Sequence, residues 1–205
     1  MSNASDTPQR TRVVKAAAAL FAERGYHAVG MSDIQQAVGI GRGALYHHIR
    51  SKEDLLYDIT RQYISDLVDF AVGLDRDLDP RERIQSLGCH LIQLIASHKS
   101  ELTVCFRETR SLTGERQAEV VKLHAAYERA WRDVFVDGAE MGVFRPYDPI
   151  VLKALVGMYF HSFLWIRPDG SLSPAEVANT LNDIAYRALA PNGPDLLSFA
   201  GSTAG

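Results

Sequence analysis

The residues best equipped for chemistry in this 205-residue chain lie close together, between Met31 and Leu56. Arg42, Gly43, Tyr46, His47 and His48 share the outward side of one short predicted helix, with Ala44 and Leu45 turned inward and Ile49 closing the apolar patch. That outward side carries an arginine, a phenol, two imidazoles and no carboxylate. Arginine bonds bidentately to guanine or to phosphate, hydroxyl and imidazole groups take phosphate oxygens, and a glycine lets the backbone approach a duplex. The chemistry on offer is recognition of a polyanion. Ser51-Lys52-Glu53-Asp54 follows as a helix-capping sequence, and Lys52, with the free N–H groups of that helix start, is placed for one more phosphate.

Two short helices and a turn must position these groups. Ile34, Ala37 and Val38 recur at helical spacing and give the first an apolar face. Gly39 ends it and lets the second leave at a steep angle, which makes the pair a helix-turn-helix. From about Arg10 to Leu56, through Ala37-Val38-Gly39-Ile40, Gly43-Ala44-Leu45-Tyr46-His47-His48 and Ser51-Lys52-Glu53, the segment resembles the N-terminal DNA-binding domain of TetR-family transcriptional regulators. The resemblance implies double-stranded DNA as partner, with Arg42, Tyr46 and His47 as first contacts and Lys52 and His48 next. It has two departures: Gly30 stands where a threonine usually caps the first short helix and touches phosphate, and Gly41 where a serine often opens the second. Ser32 or backbone N–H groups are then expected to take that phosphate. A protein-binding adaptor that keeps this fold without DNA is the alternative, and it would lack the salt-dependent affinity that counterion release demands.

Charge is divided along the chain. Residues 1–52 carry seven Lys+Arg and three Asp+Glu, whereas residues 53–205 carry fifteen and twenty-two, for a net charge of −3. A basic end on an acidic body fits nucleic-acid binding by that end. Arg10 and Arg12 could trail into a minor groove or simply begin a solvated helix. Cys89 and Cys105 have no CxxC spacing, and the start of the chain has no signal-peptide pattern, so a reducing cytoplasm is expected. No nucleophile elbow, phosphate loop or metal-ligand spacing occurs, so the chain is expected not to be an enzyme and to need no metal or cofactor.

Every strongly periodic stretch is helical, which predicts an all-α fold of about nine helices. The organisation expected is a helix-turn-helix domain over residues 1–52, a helical ligand-binding and dimerisation domain over 53–190, and a flexible tail over 191–205. A first helix, apolar at Val13, Ala16, Ala17, Leu20 and Phe21, roofs the helix-turn-helix, and a long one from Ser51 to about Leu74 joins it to the body. Further helices are read at about Ser100–Leu112 and Gly114–Met141. Asp79-Pro80, Asp148-Pro149 and Ser173-Pro174 open three others, since proline suits the first helical position. The stretch from Pro149 to Ile166 is apolar on all sides, but Lys153 and His161 interrupt it, against a membrane span. It calls for a second copy of the chain as cover, forming with the helix over 173–190 a two-fold, four-helix interface.

Phe106, Tyr127, Trp131, Phe135, Tyr159, Phe160 and Phe163 supply aromatic surface for a small-molecule pocket in the body, with Arg107, Arg110, His124 and His161 as candidate polar anchors. Trp131-Arg132-Asp133-Val134, Gly142-Val143-Phe144-Arg145-Pro146 and Trp165-Ile166-Arg167-Pro168-Asp169-Gly170 resemble the ligand domain of TetR-family repressors of steroid-ring and fatty-acid catabolism that acyl-CoA thioesters release. That implies a homodimeric repressor on a palindromic operator, released by a hydrophobic effector such as an acyl-CoA or steroid-derived CoA thioester, or by another drug-like ligand. Its phosphate-bearing head would lie near Arg167 and Arg145.

Overall fold

The computed structural model describes residues 8–167 and 169–191, and among these it contains nine α-helices, two 3₁₀ turns and no strand. In chain order the helices are α1 (Pro8–Arg24), α2 (Met31–Val38), α3 (Arg42–His48), α4 (Lys52–Gly73), α5 (Pro80–Ser97), α6 (Lys99–Arg107), α7 (Gly114–Glu140), α8 (Pro149–Phe160) and α9 (Pro174–Leu189). The tail assigned to residues 191–205 lies, beyond Pro191, outside the described residues, as does Pro168.

Local sequence explains most helix starts. Asp79 Oδ1 accepts from the Arg81 N–H and Asp148 Oδ1 from the Ile150 N–H, both at 2.7 Å, each with proline at the first helical position. Ser173 and Glu176 form a reciprocal capping box at the start of α9. Ser51 Oγ accepts from the Asp54 N–H at 3.0 Å to open α4. Gly39, at φ +70°, occupies the left-handed region that frees α3 from the direction of α2.

Two predicted helices end early. The stretch from Ser100 is helical only to Arg107, and a 3₁₀ turn over Thr109–Ser111 follows. The Thr109 hydroxyl donates to the Cys105 carbonyl at 2.8 Å, offering that acceptor a side-chain partner instead of the next helical N–H. The helix from Pro149 stops at Phe160 and tightens into a 3₁₀ turn over His161–Leu164, with His161 Nδ1 2.9 Å from the Gly157 carbonyl oxygen. This stretch is also not covered on all sides: Ile150 is 76% exposed, and Leu164 and Trp165 about half. No described helix is long and apolar enough to cross a membrane.

The core runs unbroken from the helix-turn-helix into the rest of the chain. Val13, Ala17 and Phe21 of α1 meet Ile34 and Val38 of α2 and Leu45 of α3, and α1 in turn packs against α4 and α6. In the body α5 packs against α9, α7 and α8. Gly88 makes that approach possible, because a Cβ there would stand 2.5 Å from Asn182 Oδ1 and 2.7 Å from Tyr159 Cε1. Both neighbours are buried, and the Tyr159 hydroxyl donates to Asn182 Oδ1 at 2.8 Å. The Gly88→Ala variant is therefore expected to lose about 1–3 kcal/mol through overpacking, read from urea denaturation. Unchanged stability would show that the α5–α9 contact has slack.

Candidate functional site

The solvent-facing candidates on α3 are held by very little apolar surface. Among the described side chains of α3 only Leu45 is completely buried, with Ile49 just beyond it at 2% exposure. Ala44, expected inward, is exposed, because the inward line of so short a helix is the i, i+4 pair Leu45 and Ile49. Ala37 of α2 is exposed for the same reason, with Ile34 and Val38 as the buried pair. Arg42, Gly43, Tyr46 and His47 share the solvent side of α3, and the Arg42 guanidinium lies 5.7 Å over the Tyr46 ring. This contact joins the two leading candidates into one surface. The side chain of His48 lies outside what is described.

The first turn of α2 shows how the chain accommodates Gly30. With no side chain to cap the helix, the Asp33 carboxylate reaches back and accepts from the Gly30 N–H at 2.6 Å. Ser32 is exposed at this end. Lys52 instead turns toward the loop before α2, where its ammonium donates to the carbonyls of Tyr26 at 3.0 Å and Val29 at 2.9 Å and lies 4.3 Å over the Tyr26 ring. Two of its three donors are thus spent on that loop, a role the sequence did not disclose.

The body holds a cavity of about 560 Å³ between α6, α7 and α8. Phe106, Phe163, Phe160, Leu152 and Val156 form its apolar wall. Arg107, Lys153, His124 and His161 bring it nitrogen donors, and Glu128 pairs with Lys153 at 3.0 Å. Burial holds the His124 imidazole below its ordinary range, so it is neutral at pH 7. Of the residues expected to line a pocket, Phe106, Phe160 and Phe163 are on this wall, with Arg107, His124 and His161 beside them. Tyr127, Trp131 and Tyr159 are completely buried and sit behind it as core, because their positions on α7 and α8 point between the helices. Arg110 is exposed on the 3₁₀ turn after α6, and Arg167 borders a separate cavity of about 170 Å³ with Trp165 and Leu172. Arg145 belongs to neither cavity; its backbone N–H donates to the Leu189 carbonyl at 2.8 Å.

The sequence reading passed over Lys153, Glu128 and Gly157 as cavity residues. Their signal was present: a lysine and a glycine inside an otherwise apolar helix have a reason to be there.

One helix touches both sites. Phe106 and Arg107 of α6 line the cavity, and α6 packs against α1 and α4. Directly after them Glu108 Oε1 accepts from the Tyr26 N–H at 3.4 Å, and the Ser111 hydroxyl lies 3.3 Å from His27 Nε2. The loop before α2 is therefore held by the residues that follow α6 and, from α4, by Lys52.

Two family models match this arrangement of head and body. The one for bacterial regulatory proteins of the tetR family covers residues 13–59, and the one for the tetracyclin repressor-like C-terminal domain covers residues 77–189. The chain belongs to the TetR family of bacterial regulatory proteins. It is similar to the HTH-type transcriptional repressor KstR2 of Rhodococcus jostii (strain RHA1), with 31% identity over 186 residues spanning 89% of this chain and 91% of that one. The structure of the ketosteroid transcriptional regulator KstR2 of Mycobacterium tuberculosis superposes with a TM-score of 0.85 at 28% identity, covering 92% of this chain and 99% of the other. The crystal structure of AibR in complex with isovaleryl coenzyme A and operator DNA superposes with a TM-score of 0.76 at 27% identity, covering 89% and 98%.

Two variants probe the two sites. Arg42→Ala is expected to weaken binding to a preferred DNA sequence by about 1–3 kcal/mol if the guanidinium reads a base; an equal loss on random DNA would assign it to phosphate. At Gly157 an added Cβ meets nothing closer than His161 Nδ1 at 3.9 Å. Gly157→Ala should therefore keep or raise stability, by up to about 1 kcal/mol, while weakening uptake of anilinonaphthalene sulfonate. A drop in melting temperature would show that the helix there has no room.

Proposed function

We propose that the protein represses transcription by holding a palindromic operator as a homodimer, and that it lets go when a CoA thioester of an apolar acid fills the cavity against α6. The observation that carries this reading is the double duty of α6, whose Phe106 and Arg107 border the cavity while the residues that follow grip the loop before α2. A cavity of about 560 Å³ suits a small organic molecule. Its aromatic and aliphatic wall takes the acyl or ring part, and Arg107 and Lys153 offer charge-assisted bonds to a phosphate-bearing head. Family membership supports the DNA half. The AibR complex with isovaleryl coenzyme A and operator DNA, and the description of KstR2 as a ketosteroid regulator, support the effector half.

The proposed division of labour has residues 1–52 as the DNA-binding head and 53–190 as the sensing and pairing body. Arg42, Gly43, Tyr46, His47 and His48 meet the duplex, with Ser32 and the start of α4 at the phosphates. Exposed Ile150, Leu164, Trp165, Leu172 and Ile184 supply the apolar surface of α8, α9 and their connection for the second copy. Pairing sets two heads about one helical turn apart, ~34–36 Å. An effector that favours another position of α6 shifts that spacing, and the difference in its affinity for the two states is the coupling energy. The thioester is bound and not cleaved, and the protein works in the cytoplasm, where operator and effector meet.

The test is selection of genomic fragments by the purified protein, followed by a mobility-shift assay on the selected fragment with a panel of acyl-CoA compounds. A palindrome released by one thioester is the expected result. A palindrome indifferent to all of them removes the effector class, and the absence of any enriched fragment removes DNA binding in favour of a protein-binding adaptor.

A further inference from the structure

Behind the cavity wall lie two buried polar groups with nothing to bond. Tyr127 and Trp131 stand one turn apart on α7, both completely buried, and neither the Tyr127 hydroxyl nor Trp131 Nε1 has a hydrogen-bond partner. The two rings meet edge-on with their centroids 6.3 Å apart. An indole N–H can only donate, and a phenol has a proton to give. Two donors side by side cannot satisfy each other fully, but one oxygen with two lone pairs satisfies both. Buried donors left without partners are rare in folded proteins, because each carries its desolvation cost uncompensated.

Phe160 alone stands between these donors and the cavity in the chain of ring contacts. Its ring meets Tyr127 edge-on at 5.6 Å and Phe106 edge-on at 5.0 Å, and it lines the cavity itself. It is the last residue of α8, where the α-helix gives way to the 3₁₀ turn, and it is only partly buried. A ring at a helix terminus with one open side can move without dismantling the core around it.

We infer that Phe160 is a movable partition and that the Tyr127 hydroxyl and the Trp131 indole N–H form an oxygen-reading subsite behind it, so that the effector carries a carbonyl oxygen on the far end of its apolar part. This rests on the reading of the cavity as the effector site. The subsite accounts for the two orphaned donors, and it gives the pocket a means of selecting an oxygenated apolar molecule over a plain hydrocarbon chain of the same length.

The experiment uses the full chain, with octanoyl-CoA and 7-oxooctanoyl-CoA as a matched pair and cyclohexanone and methylcyclohexane as a pair without CoA. Calorimetric titration of the wild-type protein should show the oxo member bound about tenfold more tightly than its partner. In Tyr127→Phe, an isosteric change, that gap should close while octanoyl-CoA affinity stays as it was. Ligand-free Tyr127→Phe should also melt about 2–4 °C higher than wild type, because it deletes an unpartnered buried group. A gap that survives Tyr127→Phe overturns the subsite. So does a lower melting temperature, which would mean that the hydroxyl is already bonded in the free protein. If neither thioester binds but cyclohexanone binds in a Tyr127-dependent way, the CoA reading falls and the subsite stands; if no probe depends on Tyr127, the subsite falls.

Discussion

A helix of seven residues cannot hold itself together in water, since nucleation costs more than so few hydrogen bonds return. The solvent side of α3 that carries Arg42, Tyr46 and His47 therefore exists only because Leu45 and Ile49 are buried against neighbours that do not belong to it. Those neighbours are in turn held by others: α1 rests on α6 as well as on α4, and α6 forms one wall of the cavity. Dependence of this kind makes a recognition surface adjustable. A self-sufficient helix would ignore what happens in the body, whereas one that borrows its stability must follow the elements that lend it.

The contacts that bind α4 to the rest differ in kind along its length. Leu55, Leu56, Ile59, Ile64 and Leu67 are buried completely, and Asp58 pairs with Arg10 of α1. Toward the start of α7 it is polar: Arg61 pairs with Glu119 at 2.7 Å, Arg116 with Asp54, and the Thr113 hydroxyl donates to Glu53 at 2.8 Å. Partly exposed ion pairs of this sort contribute little each and re-form readily in new positions. α4 thus combines a fully buried apolar stripe with partly exposed ion pairs that can be rearranged at small cost.

The helix-turn-helix and the starts of α5, α8 and α9 were legible because each has a local cause. Gly39 is needed by a left-handed turn, Ser51 by an orphan N–H, and the Asp-Pro and Ser-Pro pairs by helix starts. The cavity was legible only in part, because an aromatic residue at helical spacing looks the same whether it faces a neighbour or a void. Phe106 and Phe163 fell on the wall, and Tyr127, Trp131 and Tyr159 one layer behind it. Helix ends set by side-chain competition, as at Thr109, and the long-range grip of Lys52 on the carbonyls of Tyr26 and Val29 depend on partners too distant in sequence to be read from spacing.

The apolar strip left open by Ile150, Trp165 and Leu172 bears on dosage. Where pairing through that strip must precede operator binding, occupancy at low copy number rises with the square of protein concentration, so halving synthesis cuts the bound population to as little as about a quarter. A cell carrying such a protein gains a threshold without any additional component: small changes in how much of it is made separate a closed promoter from an open one.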